Sequence, residues 1–401
     1  MVTVFDTPFP DAAAMVATLT PEEPVYCLRP EVLRAQARAF VRGFPGKALY
    51  AVKCNAEPAV LDQLHAGGIR HFDTASLAEI ALVKDRYVGA RAYFMHPVKP
   101  RYAIREAHAR WNVRHFAVDH PDEMAKIRFE TAGAPDVVQV VRLATARGNA
   151  VYDLGGKFGC GVAEAARLVE EAVRGGQRVG LTFHVGSQCL NPAAYTAALE
   201  LVRQVRTLAP LPLDVIDLGG GFPAAYVGVE PPPLEDYLSA IRAGLARLDL
   251  TDDTELWCEP GRALAAAGMS LVVRVDLRRD RQLYINDGVF GSLSDLRTPG
   301  FEFPMHGIRA GRVMAGPREP FTLFGPTCDP ADAMHGPFLL PADIGEGDWI
   351  EIGQAGAYTA ALRTRFNGFH PDRIVPVADG PLLPTADMML DPIHAKAQAA
   401  E

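Results

Sequence analysis

The stretch Tyr50-Ala51-Val52-Lys53-Cys54-Asn55 decides how the rest of the chain reads. It closes an apolar run over 48–52, as a buried strand would, and ends that run on a lysine. An ammonium in a core is costly unless it is paired, neutralised or consumed by chemistry. Schiff-base formation is one such chemistry, because desolvation lowers a lysine's pKa and leaves a nucleophilic amine. The alternative is a lysine just past a strand end, its head in water. What the rest of the chain sets beside Lys53 decides between them.

Downstream, the same unit recurs. Strand-like apolar runs cover 48–55, 69–74, 91–95, 113–119, 137–144, 179–186, 213–221 and 255–259. Between them lie stretches of helical period, among them 57–66, 76–84, 121–131, 163–174, 193–208 and 234–248. Eight β-α units in a block of roughly 230 residues predict a (β/α)8 barrel of the TIM type, with an open doubly wound sheet as the competing arrangement. The near-continuous apolar runs suit parallel strands buried on both faces. Polar residues punctuate the strand ends: Lys53, Asp73, His96, Asp119, Arg142, His184, Gly219 to Gly221 and Glu259. In a barrel that face holds the active site.

The texture changes after Gly268. Runs at 269–277, 282–286, 320–324, 348–352 and 360–366 predict strands, with Gly and Pro frequent between them. The chain therefore divides into an α/β barrel over 29–268 and a mostly β domain formed by 1–28 and 269–401. At 401 residues it can bury a core for both. The net charge of −8 argues against a nucleic-acid surface. The N-terminal stretch lacks a signal-peptide pattern, and the longest apolar run, 263–273, is too short to span a bilayer. Cys27, Cys54, Cys160, Cys189, Cys258 and Cys328 show no framework spacing, which suits free thiols in a reducing compartment. A cytoplasmic protein without membrane or nucleic-acid partners is expected.

Several strings carry chemistry. Asp217-Leu218-Gly219-Gly220-Gly221-Phe222-Pro223 ends a strand in three glycines, a turn that exposes backbone N–H groups to a phosphate or merely reverses the chain. Its formal match to a dinucleotide fingerprint lacks a ribose-binding acid. Glu259-Pro260-Gly261-Arg262 sets a carboxylate at the last barrel strand; it can keep a pyridine nitrogen protonated or close an ion pair on the rim. Phe183-His184-Val185-Gly186-Ser187 offers an imidazole and a hydroxyl, but no second His or Cys stands at metal-ligand spacing, so no metal is expected. Gly325-Pro326-Thr327-Cys328-Asp329 joins a thiol to a carboxylate. That is either a proton donor beside an amine-binding acid or a free cysteine in a surface turn.

Taken in order, eleven strings resemble the fold-type III pyridoxal-phosphate-dependent decarboxylases, the ornithine/diaminopimelate/arginine group, and most closely its ornithine decarboxylase branch. They are YAVKCN, FDTAS, HPVK, KFG, FHVGSQ, DLGGGFP, EPGR, NDGVFGS, GPTCD, GAYT and FNGF, running over about 25–376. The resemblance implies an alanine-racemase-like barrel followed by a β-sandwich or barrel, a homodimer with shared sites, and pyridoxal 5′-phosphate as cofactor. It implies that Lys53 is the covalent anchor, that Glu259 partners the ring nitrogen and that His184 stacks on the ring. Ser187, Gly220, Gly221, the Gly261-Arg262 backbone and Tyr358 correspond to the phosphate cradle, and Asp73 and Arg142 to polar residues near the reactive end. Cys328 corresponds to the donor that protonates Cα, supplied with Asp329 across the dimer interface; Phe366 falls among the substrate-side residues.

The implied reaction is decarboxylation of a small basic amino acid, L-ornithine to putrescine in polyamine biosynthesis. One departure bears on substrate. Ornithine-specific members hold the distal amine with a second acid in the loop after NDGVFGS, and counting puts Thr298 or Pro299 there. Asp295 or Glu302 can replace it if the loop runs differently. Lysine, arginine or a siderophore precursor are alternative substrates. A racemase needs a donor on each face of the ring, and GPTCD fits a decarboxylase better. A non-catalytic homologue that binds a protein partner would have lost Lys53, Glu259 or Cys328, and all three are present.

Overall fold

A computed structural model describes residues 7–146, 150–152, 155–297 and 301–383. Eight parallel strands close into a barrel: β1 Lys47–Ala51, β2 His71–Thr74, β3 Arg91–Phe94, β4 His115–Val118, β5 Val138–Leu143, β6 Arg178–Phe183, β7 Val215–Asp217 and β8 Glu255–Cys258. β8 pairs with β1 through Trp257 and Cys258, which closes the ring and excludes the open sheet. Helices such as Pro58–Ala66, Leu77–Arg86, Ala193–Leu208 and Leu234–Leu245 follow the strands. The period of two sorts the side chains. Leu49, Tyr93, Ala117, Val140, Val215 and Trp257 pack together inside the barrel, while Tyr50, Phe72 and Phe116 join the core under the helices.

The polar residues expected at the strand ends lie there. Asp73 and Arg142 lie within the last residues of β2 and β5. Asp119, His184 and Glu259 follow β4, β6 and β8 directly; Lys53, His96 and Gly219 come two residues past theirs. The first strand is shorter than the sequence predicts. β1 stops at Ala51, and Val52–Cys54 form one 3₁₀ turn.

Among the described residues the second sheet has nine strands, seven of them in the order Arg312–Val313, Met305–Arg309, Trp349–Ile352, Met269–Arg279, Gln282–Ile285, Arg318–Phe324 and Ala333–Pro341. Val25–Leu28 adds to it, antiparallel to Met269 through Val272 and parallel to Arg373–Pro376. One core cluster runs from the barrel helices into this sheet. The segment 360–366, predicted as a strand, is instead a run of turns ending in the 3₁₀ turn Phe366–Gly368, where Asn367 takes a left-handed φ of 52°. No helix among the described residues is long and apolar enough to cross a membrane.

The base of the barrel carries a prediction of its own. His71 and His115 begin β2 and β4; the His71 ring meets the Tyr93 hydroxyl at 2.8 Å, and the His115 ring packs on Trp257. Desolvation lowers both pKa values, to about 4 for His71 and about 3 for His115; Lys47 and Arg91 add to it for His71. Both rings therefore fold neutral, and the unfolded chain takes up protons below about pH 6.5. Stability should fall as pH drops from 6.5, by about 2 kcal/mol per histidine at pH 5. Urea denaturation at pH 7 and pH 5 measures this, and His115→Phe should remove its share of the pH dependence. An unchanged dependence in that variant would mean that His115 is not the group responsible.

Candidate active site

The 3₁₀ turn after β1 swings Lys53 out of the barrel wall and into its C-terminal mouth. Its side chain is 45% exposed, and its Nζ donates to Asp73 Oδ2 at 2.7 Å. The expected desolvated, neutral amine is not what the geometry gives. Desolvation does act to lower the Lys53 pKa, but its neighbours, the Asp73 carboxylate first, outweigh it and raise the pKa above its ordinary value. Asp73 is buried at the edge of the mouth, so the pair is fixed from its side.

Across the mouth, the cleft beside Lys53 is lined by His184 and Ser187, by Gly220 and Gly221, and by Glu259, Gly261, Arg262 and Tyr358. His184 Nδ1 accepts from the Gly186 N–H at 3.0 Å, which leaves the proton on Nε2. Desolvation, with Arg142 and Lys53 adding to it, holds the His184 pKa well below its usual value, so the ring is neutral. The glycine turn is packed to contact. Gly219 takes φ +63°, and a Cβ there would stand 1.9 Å from the Phe183 carbonyl; Gly221 takes φ +113°. Only glycine keeps this floor thin enough for a ligand to lie against the backbone.

Beneath the floor, Asp217 is fully buried, accepting from Thr182 Oγ1 at 2.7 Å and from the Gly219 N–H at 3.0 Å. Burial raises its pKa to about 6, and these donors oppose the rise. Glu259 lies against it, and desolvation, then Asp217 and Asp73, push the Glu259 pKa well above the carboxylate range. Of the two acids, Glu259 holds the shared proton.

Two buried polar atoms of this cleft have no hydrogen-bond partner among the described residues: Glu259 Oε1 and Arg262 Nε. One is a carboxyl oxygen and the other a cationic N–H. A molecule with a basic ring nitrogen and a phosphate satisfies both, and pyridoxal 5′-phosphate has that pair of groups. Arg262 is held by the Tyr226 hydroxyl at 2.8 Å and by Asp295 at 3.4 Å, with its guanidinium over the Phe301 and Tyr358 rings.

The other predicted residues lie apart from this cleft lining. Cys328 is exposed, and its sulfur accepts from Asn367 Nδ2 at 3.6 Å. Asp329 Oδ1 accepts from the Ala331 N–H at 2.9 Å. Phe366 packs on Phe290 at 5.1 Å. Asp295 is turned to Arg262 and buried, so it holds that cation where an amine-binding role was expected. Thr298 and Pro299 lie outside the described residues. Arg142 faces Phe158 of the KFG string, and His96 meets the same ring edge-on. Sequence reading missed Asp217 and Tyr226. An aspartate inside the apolar run 213–221 is the signal that points to Asp217; nothing local points to Tyr226.

Comparison with known proteins gives the family and its cofactor. A family model described as the pyridoxal-dependent decarboxylase, pyridoxal binding domain, matches residues 31–266. A lysine/ornithine decarboxylase of Selenomonas ruminantium is 35% identical over 330 residues, covering 80% of this chain and 81% of the relative. An ornithine decarboxylase of Panagrellus redivivus is 32% identical over 393 residues, covering 89% and 87%. Among solved structures, a lysine/ornithine decarboxylase from Vibrio vulnificus, complexed with putrescine, superimposes with a TM-score of 0.78 at 32% identity, over 91% of this chain and 96% of that one.

Proposed function

This chain belongs to the pyridoxal-dependent decarboxylases, carboxy-lyases that work with pyridoxal 5′-phosphate, and on that premise we propose that it converts L-ornithine to putrescine and CO2. The observation that carries the substrate is Asp329, an acid beside the Cys328 thiol, whose sulfur meets Asn367, the neighbour of Phe366. The names of the relatives point the same way, to α-amino acids with a distal amine. Lysine is the second reading, because the Selenomonas relative carries both substrates in its name and Asp295 is engaged by Arg262.

When bound, the cofactor supplies a protonated ring that takes up the electron pair released from the Cα–carboxylate bond. Glu259 holds the proton at the ring nitrogen, with Asp217 beneath it as the fixed charge. Lys53 anchors the cofactor covalently, and Asp73 orients its Nζ and keeps it charged whenever it is released. The neutral His184 ring would hold the cofactor ring without placing a second cation beside it. Ser187, Gly220, Gly221, Gly261, Arg262 and Tyr358 hold the phosphate. Arg142, over the Phe158 ring, stands at the reactive end. The Cys328 thiol returns a proton to Cα, so that the amino acid loses CO2 and gains one hydrogen.

A homodimer in which each site takes Cys328 and Asp329 from the partner accounts for the exposure of Cys328 and for the lining of the cleft by neither residue. Release of CO2 from a panel of amino acids tests the substrate. One methylene separates ornithine from lysine, so kcat/KM for ornithine should exceed that for lysine by about tenfold or more. A larger value for lysine or arginine would overturn the ornithine reading and leave the decarboxylase in place.

Asp329 gives a sharper test. If it pairs with the distal ammonium, Asp329→Asn should raise KM for diamino acids by about 10- to 100-fold, the scale of a lost charge-assisted hydrogen bond. Substrates without a distal amine should be spared. Equal losses on both kinds would mean that Asp329 positions Cys328.

A further inference from the structure

Asn55 ends the lysine string, yet no step of the reaction touches it. Its side chain is fully buried where the barrel meets the β domain. Oδ1 accepts from the Glu57 N–H at 3.0 Å, and Nδ2 donates to the Gly356 carbonyl at 2.8 Å. Its own carbonyl accepts from the Tyr50 hydroxyl at 3.0 Å. The same join is made twice more nearby: the Tyr358 N–H donates to the Cys54 carbonyl at 2.9 Å, and Arg363 pairs with Glu57 at 2.9 Å.

The far side of the join is rigid. The Gly356 N–H donates to Ala266 at 3.0 Å, and a Cβ on Gly356 would stand 1.7 Å from the Ala265 carbonyl. Tyr358 is held at φ +58°, a left-handed conformation that a tyrosine keeps only where its surroundings impose it.

We propose that Asn55 is a positioning residue that fixes the turn carrying Lys53 to the loop carrying Tyr358, and so sets the covalent anchor and the phosphate cradle at a constant spacing. The site needs one acceptor and one donor a short distance apart, which an amide provides and a carboxylate or an alkyl group does not. Asn55→Asp keeps the shape and the contact to Glu57 but turns an acceptor toward the Gly356 carbonyl. The inference rests on the assignment of Tyr358 to the cradle.

The test is the dissociation constant of pyridoxal 5′-phosphate, measured by absorbance titration of the full chain after cofactor removal. Asn55→Asp should raise it by about tenfold or more. Lys53 should still form its borohydride-reducible linkage at saturating cofactor. In a Tyr358→Ala background the same change should cost less than about twofold, because the route through Tyr358 is already gone. Arg363→Gln removes a partly exposed contact of the same join, and it decides the matter if Asn55→Asp does not fold. It should weaken binding by about threefold, again only when Tyr358 is present. If Tyr358→Ala leaves cofactor binding unchanged, the cradle assignment fails and the inference with it. If Tyr358→Ala weakens binding while the Asn55 or Arg363 change has no effect, or has the same effect in both backgrounds, the inference alone is overturned.

Discussion

Lys53→Ala is expected to lose turnover by a factor of about a thousand or more, with the fold retained. The two halves of that expectation have separate grounds. Lys53 stands in a 3₁₀ turn with its side chain 45% exposed, so truncating it opens no cavity in the core. The structural cost is confined to Asp73, a buried carboxylate that loses the cation 2.7 Å away, and is about 1–2 kcal/mol. The chemical cost is of another order if the lysine's role is covalent, as proposed, because no neighbour can replace its amine. Asp73 and Glu259 are acids, His184 is neutral, and Lys99, in the loop after β3, is caged by the His96 and Ala117 carbonyls and by Glu123. Borohydride treatment of the wild type should fix the cofactor to the peptide that contains Lys53. The variant should bind cofactor reversibly, through the phosphate cradle alone. A borohydride-stable adduct in Lys53→Ala would place the anchor on another residue.

The sequence makes the barrel and its active face legible for one physical reason. Parallel strands buried on both sides read as apolar runs, and the first polar residue after each run marks the mouth. Asp119, His184 and Glu259 were located that way to within a residue. The turn that re-aims Lys53 was not legible, because it depends on Asn55 meeting Gly356, 301 positions away in the chain. The same holds for Asp295. Its charge suits an ammonium, and only the packed chain shows Arg262 already beside it. In the β domain, Ala333–Pro341 escaped notice because its Gly and Pro residues break the alternation that betrays a strand. The run 360–366 misled in the opposite direction. Its apolar content suits a strand, but the left-handed Asn367 and the bond from the Thr364 N–H to the Phe290 carbonyl commit it to turns.

Mixing two inactive variants should restore activity. If each site draws Lys53 from one subunit and Cys328 from its partner, the Lys53→Ala and Cys328→Ala homodimers each carry one defect in every site. Both are then poor catalysts. In a mixed dimer one site collects both defects and the other collects neither. Equal amounts exchanging at random make half of the dimers mixed, so about a quarter of all sites become wild type. Activity should rise from near the background to roughly that fraction, at the rate of subunit exchange. The gain reports geometry and not stability, since neither parent contributes a complete site and Cys328 is exposed in the single chain. A mixture as inactive as its components, with exchange demonstrated by differently tagged subunits, would put Lys53 and Cys328 of the same chain into one site. The loop that carries Cys328 and Asp329 would then have to fold over the cleft of its own barrel.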